Sequence, residues 1–308
     1  MAFDLKALQD ELKRRKFDAW LLYDHHHRDP IAYRVLDLQA TMVTRRWYYF
    51  IPATGTPQKL VHRIEAARLD SLPGDKHLYS AWGEQREKLK AILGAAKKVA
   101  MQYSPFNNIF YVSLVDAGTV DLVRSFGVEV VSSVDLIQHF EARWSEAQHQ
   151  MHLEAGKLVD DVMQQSFARI AAHVREGKKL TEYALAQWIL EQFTARGLTT
   201  DEPPIVGWNE HSGDPHFSPR AEDNRPVQKG DWVLLDMWAK LDKPHSVFYD
   251  ITWVGYVGTD VPARHQEIFT IVRDARDAAV SFVTQAVARG DTVRGYQVDD
   301  AEIGRAHV

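Results

Sequence analysis

The sequence predicts two domains, an α/β domain followed by an α+β domain. Its 308 residues suffice for about two domains of ordinary size. As far as about residue 140, helical and strand patterns alternate, which is typical of an α/β domain. From Ser145 two helices are followed by a series of strands, which indicates an α+β domain. We therefore expect an amino-terminal domain over residues 1–143 and a second domain over residues 144–308.

The elements of the first domain follow from apolar periodicity. Leu5, Leu8 and Leu12 are spaced to share one face of a helix at the start of the chain. Short apolar runs indicate strands, and two further helical patterns lie among them. The strands are expected at residues 18–23, 47–52, 60–62, 98–101 and 128–131, and the two helices at 83–93 and 117–125.

The second domain begins with a long helix. Ser145 and the residues after it resemble an N-cap, and the helical pattern continues to about residue 174. Gly177 separates this helix from a second one, which starts at the cap Thr181 and ends at Gly197. Strands are expected at 204–208, 232–238 and 247–257, and another long helix at 262–289.

Composition limits the classes of partner and compartment. A net charge of −5 provides no basic surface, so neither a nucleic acid nor an anionic membrane is expected as a partner. The chain has no cysteine, which excludes disulfides and thiolate metal sites and suits a cytoplasmic protein. No apolar run approaches the roughly 18 residues of a membrane-spanning helix.

A faint repeat connects the helices of the second domain. Gly177 and Gly290 both follow long helices and lie 113 residues apart, and a shorter helical pattern follows each glycine. Chance similarity of two amphipathic helices is the alternative explanation. If the repeat is genuine, the strands should recur at about residues 317–370, beyond Val308, so we expect the carboxy-terminal part of this domain to be missing from the chain.

Two aspartates lie inside apolar strands of the second domain. Asp236 and Asp250 flank a polar hairpin loop at 240–246, and a symmetric register places them directly opposite each other. Opposed Cβ atoms are roughly 4.5–5.5 Å apart. Two like charges about 4 Å apart repel by roughly 4 kcal/mol at an effective dielectric constant of about 20. The pair therefore needs a shared proton or a bound cation.

Two interpretations of these aspartates remain open. Each carboxylate could cap a turn or pair with a nearby lysine or arginine. Alternatively the pair binds a hard divalent ion such as Mn²⁺, Mg²⁺ or Ca²⁺, which prefers oxygen ligands. Two opposed carboxylates among aromatic residues favour the metal-binding hairpin.

The hairpin resembles that of the pita-bread metallopeptidases, which include aminopeptidase P, prolidase and methionine aminopeptidase, with creatinase as a metal-free relative. The resemblance rests on Val-Leu-Leu-Asp236, on Tyr-Asp250-Ile-Thr-Trp-Val-Gly and on the upstream segment Gly-Asp-Pro-His216-Phe-Ser-Pro. The first domain resembles the amino-terminal α/β domain of aminopeptidase P, prolidase and creatinase. The implied fold is this α/β domain plus an α+β pita-bread domain, the latter incomplete.

The resemblance implies a role for four residues. Asp236 and Asp250 would be metal ligands for two divalent ions, most readily Mn²⁺, with Co²⁺, Zn²⁺ and Fe²⁺ as alternatives. A water molecule activated by these ions would attack the peptide bond. His216 would face the scissile bond as a catalytic residue, although without the resemblance it is a turn histidine. Thr252 would lie on the same face as Asp250 and support the ligands, unless it is a plain strand threonine.

The resemblance also implies a substrate and an assembly. The substrate would be a peptide with proline next to the scissile bond, split by an Xaa-Pro aminopeptidase or an Xaa-Pro dipeptidase, and the protein would be a homodimer. Two alternatives are a creatinase-like hydrolase without metal and an inactive, peptide-binding relative.

The chain departs from the family pattern in two ways. The 14-residue spacing between the aspartates is longer than usual, and the family's His-x-x-Gly-His and Glu-Pro-Gly motifs are absent from the sequence. These motifs supply a histidine and two glutamates as further ligands. We therefore expect the 308-residue chain by itself to be inactive.

Overall fold

The structure, a computed structural model, describes residues 3–39, 41–222 and 225–306. The chain divides into two compact units, Met1–Ala147 and Gln148–Val308. Among the described residues, no helix combines the length and the apolar character needed to cross a membrane.

The first unit is built on a six-stranded mixed sheet in the order β4-β3-β2-β1-β5-β6. Its elements are α1 (Leu5–Arg15), β1 (Ala19–Asp24), α2 (Pro30–Val35), β2 (Trp47–Pro52), β3 (Gln58–His62), β4 (Asp75–Tyr79), α3 (Trp82–Leu93), β5 (Lys98–Met101), α4 (Ala117–Arg124), β6 (Glu129–Ser132) and α5 (Val134–Phe140). The central strand β1 pairs antiparallel with β2 and parallel with β5. The predicted α/β fold of this part is confirmed.

The two faces of this sheet each carry a core. On β1, Trp20 and Leu22 belong to one apolar cluster and Leu21 and Tyr23 to the other. All six residues of β1 are buried, as expected for a strand covered on both faces. This explains why the apolar run could be recognised from sequence.

The second unit combines long helices with an antiparallel sheet. Its elements are α6 (Glu146–Glu176), α7 (Glu182–Ala195), β7 (Leu198–Thr199), β8 (Ile205–Trp208), β9 (Trp232–Leu241), β10 (Tyr249–Tyr256), α8 (Ala263–Arg289) and α9 (Gly295–Ala306). β9 is central: it pairs with β10, β7 and β8, each time antiparallel. The predicted α+β fold of this part is confirmed.

The helix–glycine–helix repeat is present in the structure. Residues 177–181 connect α6 to α7, and residues 290–294 connect α8 to α9. Each connection starts with a glycine in the left-handed region, Gly177 at φ +66° and Gly290 at φ +77°. A side chain is strained there, which accounts for glycine at both helix ends.

The two helix pairs differ in what they cover. α6 and α7 share a buried core with β8 and β9. In α8, by contrast, Ala275 and Ala286 are the buried residues among the 27 that form it. Ile268, Val272 and Val280 of this helix are 47%, 61% and 59% exposed.

Helix α6 packs closely against strand β10 at two glycines, one on each element. A Cβ atom on Gly156 of α6 would lie 2.9 Å from ring carbons of Tyr249 on β10. Conversely, a Cβ atom on Gly255 of β10 would lie 2.7 Å from Cε1 of Phe167 on α6. The Tyr249 hydroxyl also donates to Oδ1 of Asp160 at 3.2 Å. Each element therefore accepts an aromatic ring of the other, and α6 fixes the position of β10.

Candidate metal-binding hairpin

The two predicted ligands lie on adjacent antiparallel strands and on one face of the sheet. Along β9, odd-numbered residues such as Leu235 and Met237 are fully buried toward the helices, whereas Asp236 is half-buried on the other face. Asp250 of β10 pairs with Trp238, an even-numbered residue of β9, and so shares the face of Asp236. The predicted common face is confirmed by this pairing.

The predicted register is wrong by two residues. Asp236 is directly opposite Thr252, not Asp250, so the two aspartates are diagonal neighbours. β9 extends to Leu241 because β7 pairs with its end, where Leu198 is opposite Leu241. The turn then closes on the Leu241 carbonyl, which accepts from the Lys243 N–H at 2.8 Å. The centre of the hairpin therefore lies further along the chain than the predicted symmetric register places it.

The diagonal placement still couples the two carboxylates. Diagonal neighbours across antiparallel strands are roughly 7–8 Å apart. Partial burial, together with the negative charge of Asp236, raises the pKa of Asp250 above its ordinary value. A cation between the carboxylates would oppose both effects.

Thr252 supports Asp236 directly. Its hydroxyl donates to Oδ1 of Asp236 at 3.0 Å across the strand pair. One carboxylate oxygen of Asp236 is thereby oriented, and the other oxygen keeps its lone pairs for a ligand.

The donor set on this face consists of two carboxylates. Among the described residues, no group of three or more histidine, cysteine, aspartate or glutamate side chains is arranged to hold a metal ion. Two aspartates supply at most four oxygens, whereas ions such as Mn²⁺ take about six donors. The residues present therefore fit part of the coordination shell of a hard divalent cation.

His216 lies in the segment that connects β8 to β9 and is exposed. Its backbone N–H donates to Oδ1 of Asp214 at 3.0 Å, which forms a local turn. Within the described part of the chain, no hydrogen bond or ion pair joins the His216 side chain to Asp236 or Asp250.

The segment that carries His216 is anchored by a buried glutamate that the sequence analysis did not identify. The Glu182 side chain at the start of α7 is fully buried. Its Oε1 accepts from the Trp208 backbone N–H and contacts Nδ1 of His211, both at 2.8 Å. The His211 ring in turn stacks on Phe217, with centroids 4.1 Å apart. A glutamate in the first turn of a helix is normally exposed, so the position of Glu182 in the sequence did not indicate that its side chain is buried.

A second anchor joins the same segment to the start of β9. Asn209 adopts a left-handed conformation at φ +49°. Its amide donates to Oδ1 of Asp231 at 2.7 Å, and its amide oxygen accepts from the Trp232 N–H at 2.8 Å. The turn before His216 is therefore held from both α7 and β9.

Sequence comparison identifies the second unit. Residues 150–301 match the profile of metallopeptidase family M24. An uncharacterized peptidase of Schizosaccharomyces pombe is 32% identical over 106 residues, which are 34% of this chain and 22% of that protein. The match thus spans about a fifth of the length of this relative.

Solved structures share the fold across both units. Dipeptidase PepE from Mycobacterium ulcerans superposes with a TM-score of 0.64 at 21% identity, covering 91% of this chain and 72% of that one. The prolidase from Pyrococcus horikoshii gives 0.56 at 17% identity, with 90% and 71% covered. An X-prolyl aminopeptidase from Caenorhabditis elegans, described as cytosolic with a di-nuclear active site, gives 0.59 at 17% identity, with 91% and 46% covered. Residues 150–301 of the second unit belong to metallopeptidase family M24, and the fold of the chain is that of the pita-bread peptidases.

Proposed function

We propose that this protein hydrolyses peptide bonds next to proline with the help of divalent metal ions held by Asp236 and Asp250. The observation that carries the proposal is the pair of carboxylates on one open face of a hairpin inside the family match. The similarity to a prolidase and an X-prolyl aminopeptidase supports proline-directed specificity. Dipeptides and longer peptides are both candidate substrates.

The protein's own residues have distinct proposed tasks. Asp236 and Asp250 hold the ions, and Thr252 orients the Asp236 carboxylate through its hydroxyl. His216 faces the substrate and positions or protonates the departing group. When bound, divalent ions such as Mn²⁺ supply Lewis-acid activation of water.

The alternative is a creatinase-like hydrolysis that needs no metal. The presence of both Asp236 and Asp250 on one face speaks for the metal-dependent mechanism, because paired carboxylates supply the oxygen ligands that a hard divalent ion prefers. The cytoplasm is the proposed compartment, and a homodimer is the proposed assembly.

Metal binding is the first test of this proposal. Binding of Mn²⁺, followed by electron paramagnetic resonance of the free ion, is compared for the wild type, Asp236→Asn and Asp250→Asn. The matched control is Asp242→Asn, which removes the same charge from an exposed position in the hairpin loop. We expect weak binding, because two carboxylates fill part of a shell of about six donors, and loss of that binding in the first two variants only.

Hydrolysis of Xaa-Pro dipeptides and of longer peptides with proline in the second position is the second test. Because two carboxylates fill only part of a coordination shell, we expect turnover by this chain to be below detection, and any turnover that is measured should require Mn²⁺ and both aspartates. Equal Mn²⁺ binding by all four proteins would contradict the assignment of the ligands. Equal turnover with and without a chelator would favour the metal-free mechanism.

A further inference from the structure

A buried carboxylate lies at the base of the segment that carries His216. The Glu182 side chain is fully buried, and its Oε1 is 2.8 Å both from the Trp208 backbone nitrogen and from Nδ1 of His211. Its other oxygen, Oε2, is also buried and has no hydrogen-bonding partner among the described residues. An ionised carboxylate in such a place is strongly unfavourable unless a positive charge compensates it. Glu182 therefore needs either a cationic partner or a proton of its own.

His211 is the side chain that can supply a positive charge. Within residues 3–39, 41–222 and 225–306, it is the one basic group in ion-pair contact with Glu182. The charged groups around the pair already have partners: Glu210 and Arg225 bind each other, Asp231 accepts from the Asn209 amide, and Asp214 accepts from the His216 N–H. Arg225, the cation among them, is occupied by Glu210, so the compensating charge has to come from His211.

The contact between Glu182 and His211 limits where the proton can be. Oε1 is able to accept from the Trp208 N–H and from Nδ1–H of His211 at the same time, because it has two lone pairs. A neutral His211 that donates in this way leaves the buried pair with a net negative charge, whereas an imidazolium leaves it neutral overall. A protonated Glu182 beside a neutral ring would also be neutral, but imidazole is the stronger base of the two groups in water. The arrangement with the proton on His211 is therefore favoured.

A series of short contacts joins His211 to the turn that carries His216. The His211 ring stacks on Phe217, with centroids 4.1 Å and ring planes 21° apart. Its backbone carbonyl accepts from the Asp214 N–H at 3.3 Å, and Asp214 in turn accepts from the His216 and Phe217 N–H groups at 3.0 and 3.1 Å. Gly207 allows the close approach, because a Cβ atom there would lie 3.0 Å from the His211 carbonyl oxygen. The position of His211 therefore constrains that of the turn.

We propose that Glu182 is a positioning residue for His216, acting as the carboxylate of an ion pair with protonated His211. While His211 keeps its proton, the pair is neutral overall and ties the turn to α7. When His211 loses the proton, Glu182 carries an uncompensated buried charge and the turn loosens. The histidine is the group that gains a partner on folding, so the anchor is present at lower pH and is lost as the pH rises through the range in which imidazole titrates.

The catalytic meaning of this anchor rests on the proposed function, in which His216 faces the substrate. The ion pair itself involves neither metal nor hydrolysis. Mn²⁺ binding by Asp236 and Asp250 tests the proposed function through a separate readout, so the failure of either proposal is recognised without the other.

The protonation state of His211 in the full chain is the first test. Ring nitrogen-15 NMR at pH 7 distinguishes an imidazolium, which carries a proton on both nitrogens, from a neutral ring, and His211→Asn assigns the signal. The wild type is compared with Glu182→Gln, which keeps the shape and the acceptor of Glu182 but removes its charge. We expect His211 to be mainly imidazolium in the wild type and mainly neutral in Glu182→Gln, with the histidines of the first unit unchanged. A neutral His211 in the wild type, or an imidazolium that persists in Glu182→Gln, overturns the proposal.

The pH dependence of amide exchange in the turn is the second test. Protection factors of the His216 and Phe217 amides are measured between about pH 6 and pH 9, where carboxylates stay ionised, and are corrected for intrinsic exchange rates. In the wild type we expect protection to fall about tenfold or more across this range. In Glu182→Gln it should stay constant, because the neutral pair of that variant has no proton to lose.

Two controls accompany this measurement. Titration of the His216 ring itself would affect the wild type and Glu182→Gln alike, so the difference between them reports on His211. The amide of Leu235, on the central strand β9, should stay protected at every pH in both proteins. Constant protection in the wild type, or the same pH dependence in both proteins, overturns the proposal. The wild-type profile alone can do so, which keeps the proposal testable even if Glu182→Gln folds poorly.

Discussion

Replacing Gly156 by alanine should destabilise the second unit, although alanine is the better helix former. In a helix interior the exchange gains about 1 kcal/mol from backbone entropy. The added Cβ atom, however, would lie 2.9 Å from two ring carbons of Tyr249, whereas carbon atoms pack best at about 3.5–4.0 Å. The ring has little freedom to retreat, because its hydroxyl bonds to Asp160 and its strand is paired with β9. Overpacking of this kind costs about 1–3 kcal/mol, so after the gain in helix propensity we expect a net loss of up to about 2 kcal/mol.

Urea unfolding and native-state hydrogen exchange of the α6 and β10 amides measure this loss for the second unit alone. The control is Gly83→Ala in α3, where an added Cβ atom meets nothing within 4 Å. That variant should be neutral or gain up to about 1 kcal/mol. In a Tyr249→Leu background, Gly156→Ala should become less costly, with a coupling free energy of about 1 kcal/mol. A Gly156→Ala protein as stable as Gly83→Ala would refute the reasoning.

Three further predictions concern single polar side chains. A hydrogen bond from Arg14 holds the pKa of the buried Glu11 carboxylate at about 2, against an ordinary value of 4.5. The charged Glu11 carboxylate therefore stabilises the fold above pH 4.5, and this contribution is lost as the pH falls toward 2. Measured by urea unfolding, Glu11→Gln should lower the free energy of unfolding by about 2–3 kcal/mol at neutral pH and by little at pH 2. Glu182→Ala should remove the buried acceptor of the Trp208 N–H, and hydrogen exchange at that amide should accelerate about tenfold or more. Thr252→Val keeps a β-branched strand residue but removes the hydroxyl that orients the neighbouring carboxylate, so Mn²⁺ affinity, followed by the same resonance method, should fall about tenfold.

The strands with strong apolar patterns were predictable, and the polar ones were not. β1 and β2 consist almost entirely of buried residues, so their patterns stand out. β4, with the sequence Asp-Lys-His-Leu-Tyr, is polar because it lies at the sheet edge. The short helix α2 was also missed, although Asp29 caps it and Pro30 starts it, because six residues are too few to show a period.

The candidate site was predictable in its residues more than in its geometry. The structure shifts the predicted register by two residues, and an even shift leaves Asp236 and Asp250 on one face; a shift of one residue would have put them on opposite faces. Their register depends on where β9 ends, and that is decided by pairing with Leu198, a contact from a distant part of the chain. The role of Glu182 likewise depends on His211, 29 residues further along the chain, and no local pattern encodes such a contact.

The sparse burial of α8 divides the second unit into parts of unequal local stability. Ala275 and Ala286 are the buried residues among the 27 of this helix, so few apolar contacts stabilise its ordered state. Free energies of local opening follow such contacts, so we expect α8 and α9 to open together at a free energy well below that of global unfolding. Limited proteolysis should accordingly cut first within this segment, whereas α6 and β10, interlocked through Phe167 and Tyr249, stay closed until the whole unit unfolds.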